Sequence, residues 1–225
     1  MRRPDLVEEM ERYYGDRVPY HDEYMGYEGN EAMEALLRPV IELVEPDVTG
    51  RDVLEVACGT GNWTQVLSRR ARSVVATDLF DGYLDVARAK PYARDNVTFV
   101  RADAYRLEGV GGPFDAAFCA DWWSHMPRSR IGTFLQALHA RLSPGARAVA
   151  VDMMSTEHFD RIRSHLDEEG NEVQNRTLPN GRRYQVVKNF PTEAELRERL
   201  GPFATRVSYV EHLPLKRWSV SWTVR

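Results

Sequence analysis

Cysteines, long apolar runs and an excess of positive charge are all missing or scarce in this chain. Only two of the 225 residues are cysteines, Cys58 and Cys119, and both lie in apolar segments, so the sequence indicates neither a disulfide scaffold nor a zinc site. No segment approaches the roughly 20 apolar residues of a membrane span, and the charged N-terminus lacks the apolar core of a signal peptide. A soluble, reducing and therefore cytoplasmic location is expected.

Charge and size narrow the possible partners and the domain organisation. Lys and Arg total 30 against 34 Asp and Glu, which argues against nucleic-acid binding because nucleic-acid-binding proteins usually present a basic face. With 43% hydrophobic residues, the chain can bury one substantial core. We therefore expect a single domain over residues 1–225 that binds neither nucleic acid nor membrane.

A tight glycine turn after an apolar strand is the most informative motif. Residues 53–63 read Val-Leu-Glu-Val-Ala-Cys-Gly-Thr-Gly-Asn-Trp, so Gly59 and Gly61 join a strand to a helix, as in nucleotide-type cofactor sites. A Cβ at either glycine would collide with a ligand or forbid the turn. The third glycine of dinucleotide sites is missing, Trp63 fills the first helical turn, and the Glu55 carboxylate would repel a pyrophosphate. A cationic ligand is expected, and a nicotinamide-dependent oxidoreductase is disfavoured.

Two later strands end in carboxylates at the spacing of successive strand–helix units. Residues 73–79 form a strand that ends at Asp78, which could accept both hydrogen bonds of a ribose diol, and residues 97–105 form one that ends at Asp103. A lone Asp in either place would be interpreted as a helix N-cap. Three strand-end motifs in this order favour cofactor binding.

The loop after the fourth strand carries the candidate general base. The strand 114–120 leads into Asp-Trp-Trp-Ser-His-Met-Pro, and ligands of open parallel sheets bind beyond the carboxyl ends of the strands. His125, with an ordinary pKa of about 6.5, suits removal of a proton from a hydroxyl or ammonium group. The alternative is a histidine that only supports the loop or packs on the cofactor. Trp122 and Trp123 could each be core, cofactor wall or substrate platform, and we expect one of them to face the pocket.

These motifs resemble those of the class I S-adenosylmethionine (SAM)-dependent methyltransferases, whose first motif is E/D-x-G-x-G-x-G; here Ala57 replaces the first glycine. The resemblance implies an α/β, Rossmann-like, doubly wound sheet of seven strands, mostly parallel, with an antiparallel C-terminal hairpin. It also implies that Glu55 and the glycine turn hold the methionine end of SAM, and that Asp103 binds the adenine amino group. The expected cofactor contacts in this part of the chain are Glu55, Ala57, Gly59, Gly61, Trp63, Asp78, Leu79, Asp103, Ala104, Tyr105 and Ala120.

Residues 1–30, rich in tyrosine, are expected to form a helical lid. In enzymes similar to this chain, such a segment folds over SAM. The resemblance implies that Tyr14 covers the cofactor and that Arg17 reaches its carboxylate, a contact for which a planar guanidinium is well suited. His21 and Tyr24 are candidates for the substrate pocket. The alternative is a helix that packs its aromatic residues on the core.

A second cap is predicted near the C-terminus. Pro179-Asn180-Gly181 separates two strand-like segments, and Asn-Gly readily adopts positive φ, so residues 171–190 are expected to form a β-hairpin over the pocket. A resemblance to phosphonate O-methyltransferases in the pattern Arg-Thr-Leu-x-x-Gly-Arg implies substrate contacts for Arg176, Arg182 and Lys188. The alternative for these residues is an exposed hairpin face with solvated charge.

The hairpin also differs from the phosphonate enzyme in its charge. When the two hairpins are aligned on this shared pattern, the resemblance implies that the phosphonate enzyme has further arginines where this chain has Asn175 and Gln185. The difference favours a neutral or monoanionic acceptor over a dianionic one.

The resemblance implies SAM-dependent methylation of a small-molecule acceptor, with O-methylation in natural-product metabolism as the first expectation. His125 would remove the acceptor proton and S-adenosylhomocysteine would be the product. N-methylation of an amine or amino sugar is the alternative, and C-methylation of an electron-rich ring is a third. A SAM-binding partner protein without activity would carry the same cofactor motifs.

Overall fold

The computed structural model describes residues 6–25 and 30–225, apart from the side chains of Tyr24, Asn30, Arg163 and Ser164. Within these ranges the helices are α1 (Leu6–Arg17), α2 (His21–Tyr24), α3 (Asn30–Val48), α4 (Asn62–Arg70), α5 (Asp81–Arg88), α6 (Ile131–His139), α7 (Glu157–Ile162) and α8 (Glu193–Leu200). The strands are β1 (Asp52–Val56), β2 (Ser73–Asp78), β3 (Val97–Arg101), β4 (Phe114–Ala120), β5 (Leu142–Met153), β6 (Arg163–Leu166), β7 (Glu172–Thr177), β8 (Arg183–Val187), β9 (Ala204–His212) and β10 (Arg217–Val224).

The main sheet has seven strands in the order β3-β2-β1-β4-β5-β10-β9, which confirms the expected α/β fold. Strands β1 to β5 run parallel, and β10 is antiparallel to both β5 and β9. The strand order reverses between β1 and β4, which lie side by side and are both followed by loops at their carboxyl ends. Doubly wound sheets bind ligands in the crevice at such a reversal.

Apolar side chains cover both faces of this sheet. Along β1, Val53 belongs to the core layer that packs on α3 and α4, whereas Leu54 belongs to the layer that packs on α6 and α8. Alternate strand residues point to opposite faces, and parallel strands covered on both faces therefore need continuous apolar runs. Helix α3 packs through Leu37, Val40 and Val44, spaced three and four residues apart.

Two element boundaries differ from what the sequence predicts, because Ser143-Pro144-Gly145 is typical of the end of a helix, here over residues 129–142, followed by a strand from Ala146. Helix α6 instead spans only Ile131–His139, and β5 begins at Leu142. Residues 143–146 form an irregularity in β5, because Phe114 pairs with Leu142 whereas Ala116 pairs with Arg147. Gly145 lies there at φ +82°, so Pro144-Gly145 bends a strand instead of ending a helix. None of the helices in the described part of the chain has both the length and the apolar composition of a membrane span.

A second antiparallel sheet, β6-β7-β8, contains the predicted hairpin and lies against α1. The Asn-Gly turn is present, with Gly181 at φ +82°. Strand β6 was not predicted. Met10 and Tyr13 of α1 share a buried cluster with Tyr184 and Val186 of β8. Helix α1 and the hairpin of residues 171–190 therefore form one unit, which we call the cap.

Candidate active site

A cavity of about 570 Å³ is lined by the carboxyl ends of β1 to β4 and by the cap. Pockets of 300–1,000 Å³ are typical of sites for cofactors and small ligands. Most of the residues expected at the site line this cavity, and the predicted positions among them are Tyr14, Arg17, His21, Glu55, Ala57, Gly59, Trp63, Asp78, Leu79, Asp103, Ala104, Tyr105, Ala120, Trp122, His125, Arg176 and Lys188.

The glycine turn bends through three left-handed residues. Ala57, Gly59 and Gly61 have φ of +56°, +55° and +79°. Ala57 therefore holds a conformation that costs an L residue about 1–2 kcal/mol and that a glycine would adopt freely. A Cβ on Gly61 would lie 2.7 Å from the Tyr92 hydroxyl oxygen and 2.9 Å from the Ala87 Cβ, so this glycine is required by packing against α5 and its following loop.

Glu55 is a buried carboxyl group on the cavity wall, only 2% exposed. Its Oε2 atom has no hydrogen-bond partner among the described residues. Burial, with the nearby charge of Asp78, raises its pKa to about 8, although the neighbouring Thr64 opposes the rise. A buried carboxyl group in the wall of a cavity is a candidate site for a cationic ligand group.

Asp78 and Asp103 both line the cavity while binding nearby backbone. Asp78 accepts hydrogen bonds from the amides of Gly59 at 2.9 Å and Phe80 at 3.1 Å, and Asp103 accepts one from the Tyr105 amide at 2.9 Å. Neither residue is a helix N-cap, since α5 is preceded by Phe80 and no helix follows Asp103. Burial raises the pKa of Asp78 to about 6 in spite of the hydrogen bonds.

Aromatic rings form the wall near Asp103. The Arg130 guanidinium carbon lies 4.0 Å from the ring centroid of Tyr105, whose ring also lies 5.7 Å from that of Trp122. Arg130 lines the cavity and was not predicted from the sequence. A cation over a tyrosine ring gains about 0.5–1 kcal/mol, which fixes the orientation of this wall.

Helix α1 contributes Tyr14 and Arg17 to the cavity, and the start of α2 contributes His21. Arg17 is buried, and its guanidinium carbon lies 6.0 Å from the ring centroid of Tyr14. The Tyr14 hydroxyl is buried with no partner among the described residues, and burial raises its pKa. Burial lowers the pKa of His21 to about 4, and Arg17 lowers it further. The side chain of Tyr24, expected in the pocket, lies outside the described residues.

His125 is buried in the wall of the cavity, and its Nδ1 lies 2.8 Å from the carbonyl oxygen of Val187. A carbonyl only accepts, so Nδ1 carries the proton and Nε2 retains a lone pair. Burial, with the charges of Lys188 and Arg176, lowers the pKa of His125 well below its usual range. The ring is therefore neutral at physiological pH.

The three hairpin cations have different surroundings. Arg176 lines the cavity and donates to the Gln174 side chain at 3.0 Å and to the Tyr13 hydroxyl at 3.4 Å. Lys188 also lines it but is buried, with Nζ 2.6 Å from the Ser124 hydroxyl. Arg182 does not line the cavity.

The prediction that Arg182 contacts the substrate disagrees with its place in the structure. Its side chain is 67% exposed and pairs with Asp16 of α1 at 2.6 Å. The residue precedes β8 at the outer end of the hairpin, so its charge links the two parts of the cap. Arg182 therefore fits the alternative interpretation, in which the hairpin cations lie on an exposed face and are solvated.

One of the two neighbouring tryptophans faces the cavity, as expected. Trp122 lines it, whereas Trp123 is buried in the core with its ring centroid 6.4 Å from those of Phe134 and Trp218. Of the three alternatives given for Trp123, its surroundings correspond to a core residue and not to a substrate platform.

Several cavity residues were missed by the sequence analysis. Asp121, at φ +51°, forms an ion pair with Arg217 at 2.7 Å, and both line the cavity. Asp121 directly follows β4, a signal that the sequence offered, whereas Arg217 comes from β10 with no local motif. Apolar residues from the end of β5 and from α7 complete the wall, namely Met153, Phe159 and Ile162.

Known proteins similar to this chain are methyltransferases. A family model described as a methyltransferase domain matches residues 53–146. A demethylmenaquinone methyltransferase of Clavibacter sepedonicus is 35% identical over 120 residues, covering 53% of this chain and 48% of that protein. Another of Lactococcus lactis subsp. lactis is 31% identical over 111 residues, covering 47% and 43%. The chain therefore matches less than half the length of these relatives.

Solved structures match over the full length. The DhpI–SAM–HEP complex has a TM-score of 0.77 and 28% identity, covering 99% of both chains. The 1,6-didemethyltoxoflavin-N1-methyltransferase of Burkholderia thailandensis shares the fold with a TM-score of 0.64 at 21% identity, covering 100% of this chain and 92% of that one. The methyltransferase domain, the glycine turn, the strand-end carboxylates and the full-length similarity to complexes that contain SAM or S-adenosylhomocysteine are together consistent with the class I SAM-dependent methyltransferase family.

Proposed function

We propose that this protein transfers the methyl group of SAM to an oxygen atom of a small-molecule acceptor, releasing S-adenosylhomocysteine. One observation carries the proposal: a neutral histidine, with Nδ1 held by a backbone carbonyl, lies in the wall of the cavity that also contains the glycine turn and Glu55. The cofactor site and the base that takes up the proton then share one cavity.

The residues around the turn fit SAM. The unused Oε2 of Glu55 provides a partner for a cationic group, and Asp78 and Asp103 place carboxylates at the ends of the next two strands. Arg17 and Tyr14 of the cap lie over the same cavity and suit a carboxylate and a sulfonium group respectively. When bound, SAM supplies an electrophilic methyl group.

His125 is the better of two candidate bases. His21 lies beside the turn, where a Cβ on Gly59 would be 3.4 Å from its Nε2, so it borders the cofactor half of the cavity. The rings of His125 and Tyr14 are nearly perpendicular with centroids 5.5 Å apart, and His125 lies near the charges of Lys188 and Arg176 of the cap. A neutral His125 accepts the acceptor proton at Nε2.

In this proposal, most of the rate acceleration comes from holding the acceptor oxygen close to the methyl group of SAM. Holding two reactants in line contributes about 7–11 kcal/mol, whereas a positioned base adds about 10²–10⁴-fold. The low pKa of His125 makes it a weak base, and a weak base suffices because the acceptor oxygen becomes strongly acidic as its bond to the methyl carbon forms.

The acceptor is proposed to be neutral or to carry one negative charge. Among the described cavity residues, the ammonium of Lys188 is paired with Asp152 and the guanidinium of Arg217 with Asp121. The guanidinium of Arg176 donates hydrogen bonds to the neutral side chains of Gln174 and Tyr13, so its positive charge can match one negative charge on the acceptor. This positive charge near His125 disfavours an ammonium acceptor.

Radiolabelled methyl transfer tests the proposal. The full chain is incubated with methyl-labelled SAM and matched pairs of hydroxyl and amine acceptors that carry no charge or one negative charge. Label is expected on the hydroxyl member, and His125→Ala should lower kcat by roughly 10²-fold or more, with partial recovery at high pH where the acceptor ionises unaided.

His212→Ala is the matched control, because His212 lies on β9 outside the cavity lining and should leave kcat unchanged. If only the amine acceptors are methylated, the proposal of O-methylation is wrong and the protein is an N-methyltransferase. Normal kcat with weakened SAM binding in His125→Ala would make His125 a loop residue and leave His21 or proximity alone to carry the reaction.

A further inference from the structure

Three consecutive residues of the cap bind three consecutive residues of the loop after β4. The Val187 carbonyl accepts from His125 Nδ1 at 2.8 Å, and the Asn189 amide donates to the Ser124 carbonyl at 2.7 Å. The Asn189 side chain donates to the Met126 carbonyl at 3.0 Å. The end of the cap sheet therefore sets the position of the candidate base.

The residue between these two, Lys188, is fixed by a buried ion pair. Its Nζ donates to the Ser124 hydroxyl at 2.6 Å and lies 3.3 Å from Asp152 Oδ1. Asp152 in turn accepts from the Ser124 amide at 2.8 Å and hydroxyl at 2.9 Å. Lys188 is 2% exposed and Asp152 0%. A buried pair adds little net stability because both ions lose hydration, so its place beside the base calls for another explanation.

Charges from several elements face His125. Those that act on its pKa are Lys188 after β8, Arg176 on β7 and Arg17 on α1, while the neutral Tyr14 ring on α1 meets its edge. Lys188 has the largest effect among the charges, after burial itself. All three cations oppose a second proton on the ring, and only the hydrogen bond with Val187 favours it.

We propose that Lys188 is a positioning residue for proton removal by His125 and does not bind the acceptor. Anchored by Asp152 and Ser124, it holds residues 187–189 so that the Val187 carbonyl keeps the proton on Nδ1, and its charge keeps Nε2 unprotonated. This role rests on the proposed function, and it replaces the substrate contact that the resemblance implied for Lys188. The acceptor proton passes to Nε2 as the new carbon–oxygen bond forms and then leaves to solvent.

Nitrogen-15 NMR of the histidine rings in the full chain tests this role without turnover. The chain has six histidines, and the His125 signals are identified by their loss in His125→Gln. Lys188→Gln removes the charge but keeps a donor for Ser124, whereas Lys188→Arg keeps the charge. Each variant is titrated with acid, and the tautomer and the midpoint of His125 are read directly.

The wild-type His125 ring should be neutral, with its proton on Nδ1, and should take up a second proton only at a pH well below the usual pKa of histidine. In Lys188→Gln the midpoint should move to higher pH, because a repelling cation is gone, and Lys188→Arg should retain the low midpoint. The acidic limb of the kcat/KM profile should move to higher pH in parallel, with little change in the KM for the acceptor.

An unchanged midpoint in Lys188→Gln overturns the proposal, and so does a raised acceptor KM with an unchanged midpoint, which would make Lys188 a substrate contact. If Lys188→Gln does not fold because Asp152 is left unpaired, Lys188→Met combined with Asp152→Asn removes both charges, and an upward shift is still required, smaller because the carboxylate is lost as well. A wild-type protein that transfers no methyl group would refute the proposed function, while the tautomer and midpoint would still decide the role of Lys188.

Discussion

Replacing Gly61 with alanine tests the geometry of the cofactor turn most severely. The residue has φ +79°, and the new Cβ would lie 2.7 Å from the Tyr92 hydroxyl oxygen and 2.9 Å from the Ala87 Cβ. The left-handed backbone costs an L residue about 1–2 kcal/mol, and overpacking costs about 1–3 kcal/mol. Gly61→Ala should therefore lose about 2–5 kcal/mol, a large share of the roughly 5–15 kcal/mol that stabilises a typical domain.

Gly50→Ala is the matched control. Gly50 has φ +69°, but nothing lies within 4 Å of its added Cβ, so only the backbone cost of about 1–2 kcal/mol should be measured. Removing the Tyr92 hydroxyl from the Gly61→Ala protein with Tyr92→Phe should restore part of the lost stability, because the contact with Ala87 remains.

Urea unfolding followed by tryptophan fluorescence measures these free energies, and calorimetry with S-adenosylhomocysteine measures binding by the variants that fold. Affinity should fall in Gly61→Ala, since relief of the overlap displaces the first turn of α4, and should be retained in Gly50→Ala. Equal destabilisation by the two alanines would refute the packing of the turn described above.

Three further predictions concern the carboxylates and the cap. Glu55, with a pKa of about 8, holds a proton at pH 7, and a cationic group bound beside it favours the carboxylate, so SAM binding should release a proton and tighten as pH rises towards 8. Calorimetry in buffers of different ionisation enthalpy should detect this release and lose it in Glu55→Gln; no release by the wild type contradicts the assignment. Asp78→Asn should weaken S-adenosylhomocysteine binding roughly tenfold or more by loss of a charged acceptor, and Asp78→Ala should be less stable still because the Gly59 and Phe80 amides both lose their partner; unchanged affinity in folded Asp78→Asn would exclude a ribose contact. Amide hydrogen exchange in residues 10–25 should slow when S-adenosylhomocysteine binds, and equal protection in both states would mean that α1 serves only packing.

The parallel sheet was predictable because its signals are local. Each of the central strands is a short apolar run that needs burial on both faces, and Glu55 stands out as the buried charged residue of β1. The capping box of Thr192 and Glu195 likewise marks the start of α8 correctly. The cofactor half of the cavity follows from these elements, since the predicted carboxylates lie at the ends of successive strands.

The acceptor half depends on contacts between distant segments, which local patterns do not specify. Trp122 and Trp123 are neighbours that face opposite surroundings, so the sequence shows that one faces the cavity but not which. The ion pair of Asp121 with Arg217 joins residues 96 positions apart. Strand β6 has only four residues and exists through its pairing with β7.

The central claim is that the cavity beside the glycine turn is a SAM site. A calorimetric titration of the full-length wild-type chain with S-adenosylhomocysteine and, separately, with NADH tests it most directly. Saturable binding of S-adenosylhomocysteine that is weakened by Asp78→Asn, with no binding of NADH, is the predicted result. Binding of NADH in place of S-adenosylhomocysteine, or no binding of S-adenosylhomocysteine by the folded protein, would contradict the account.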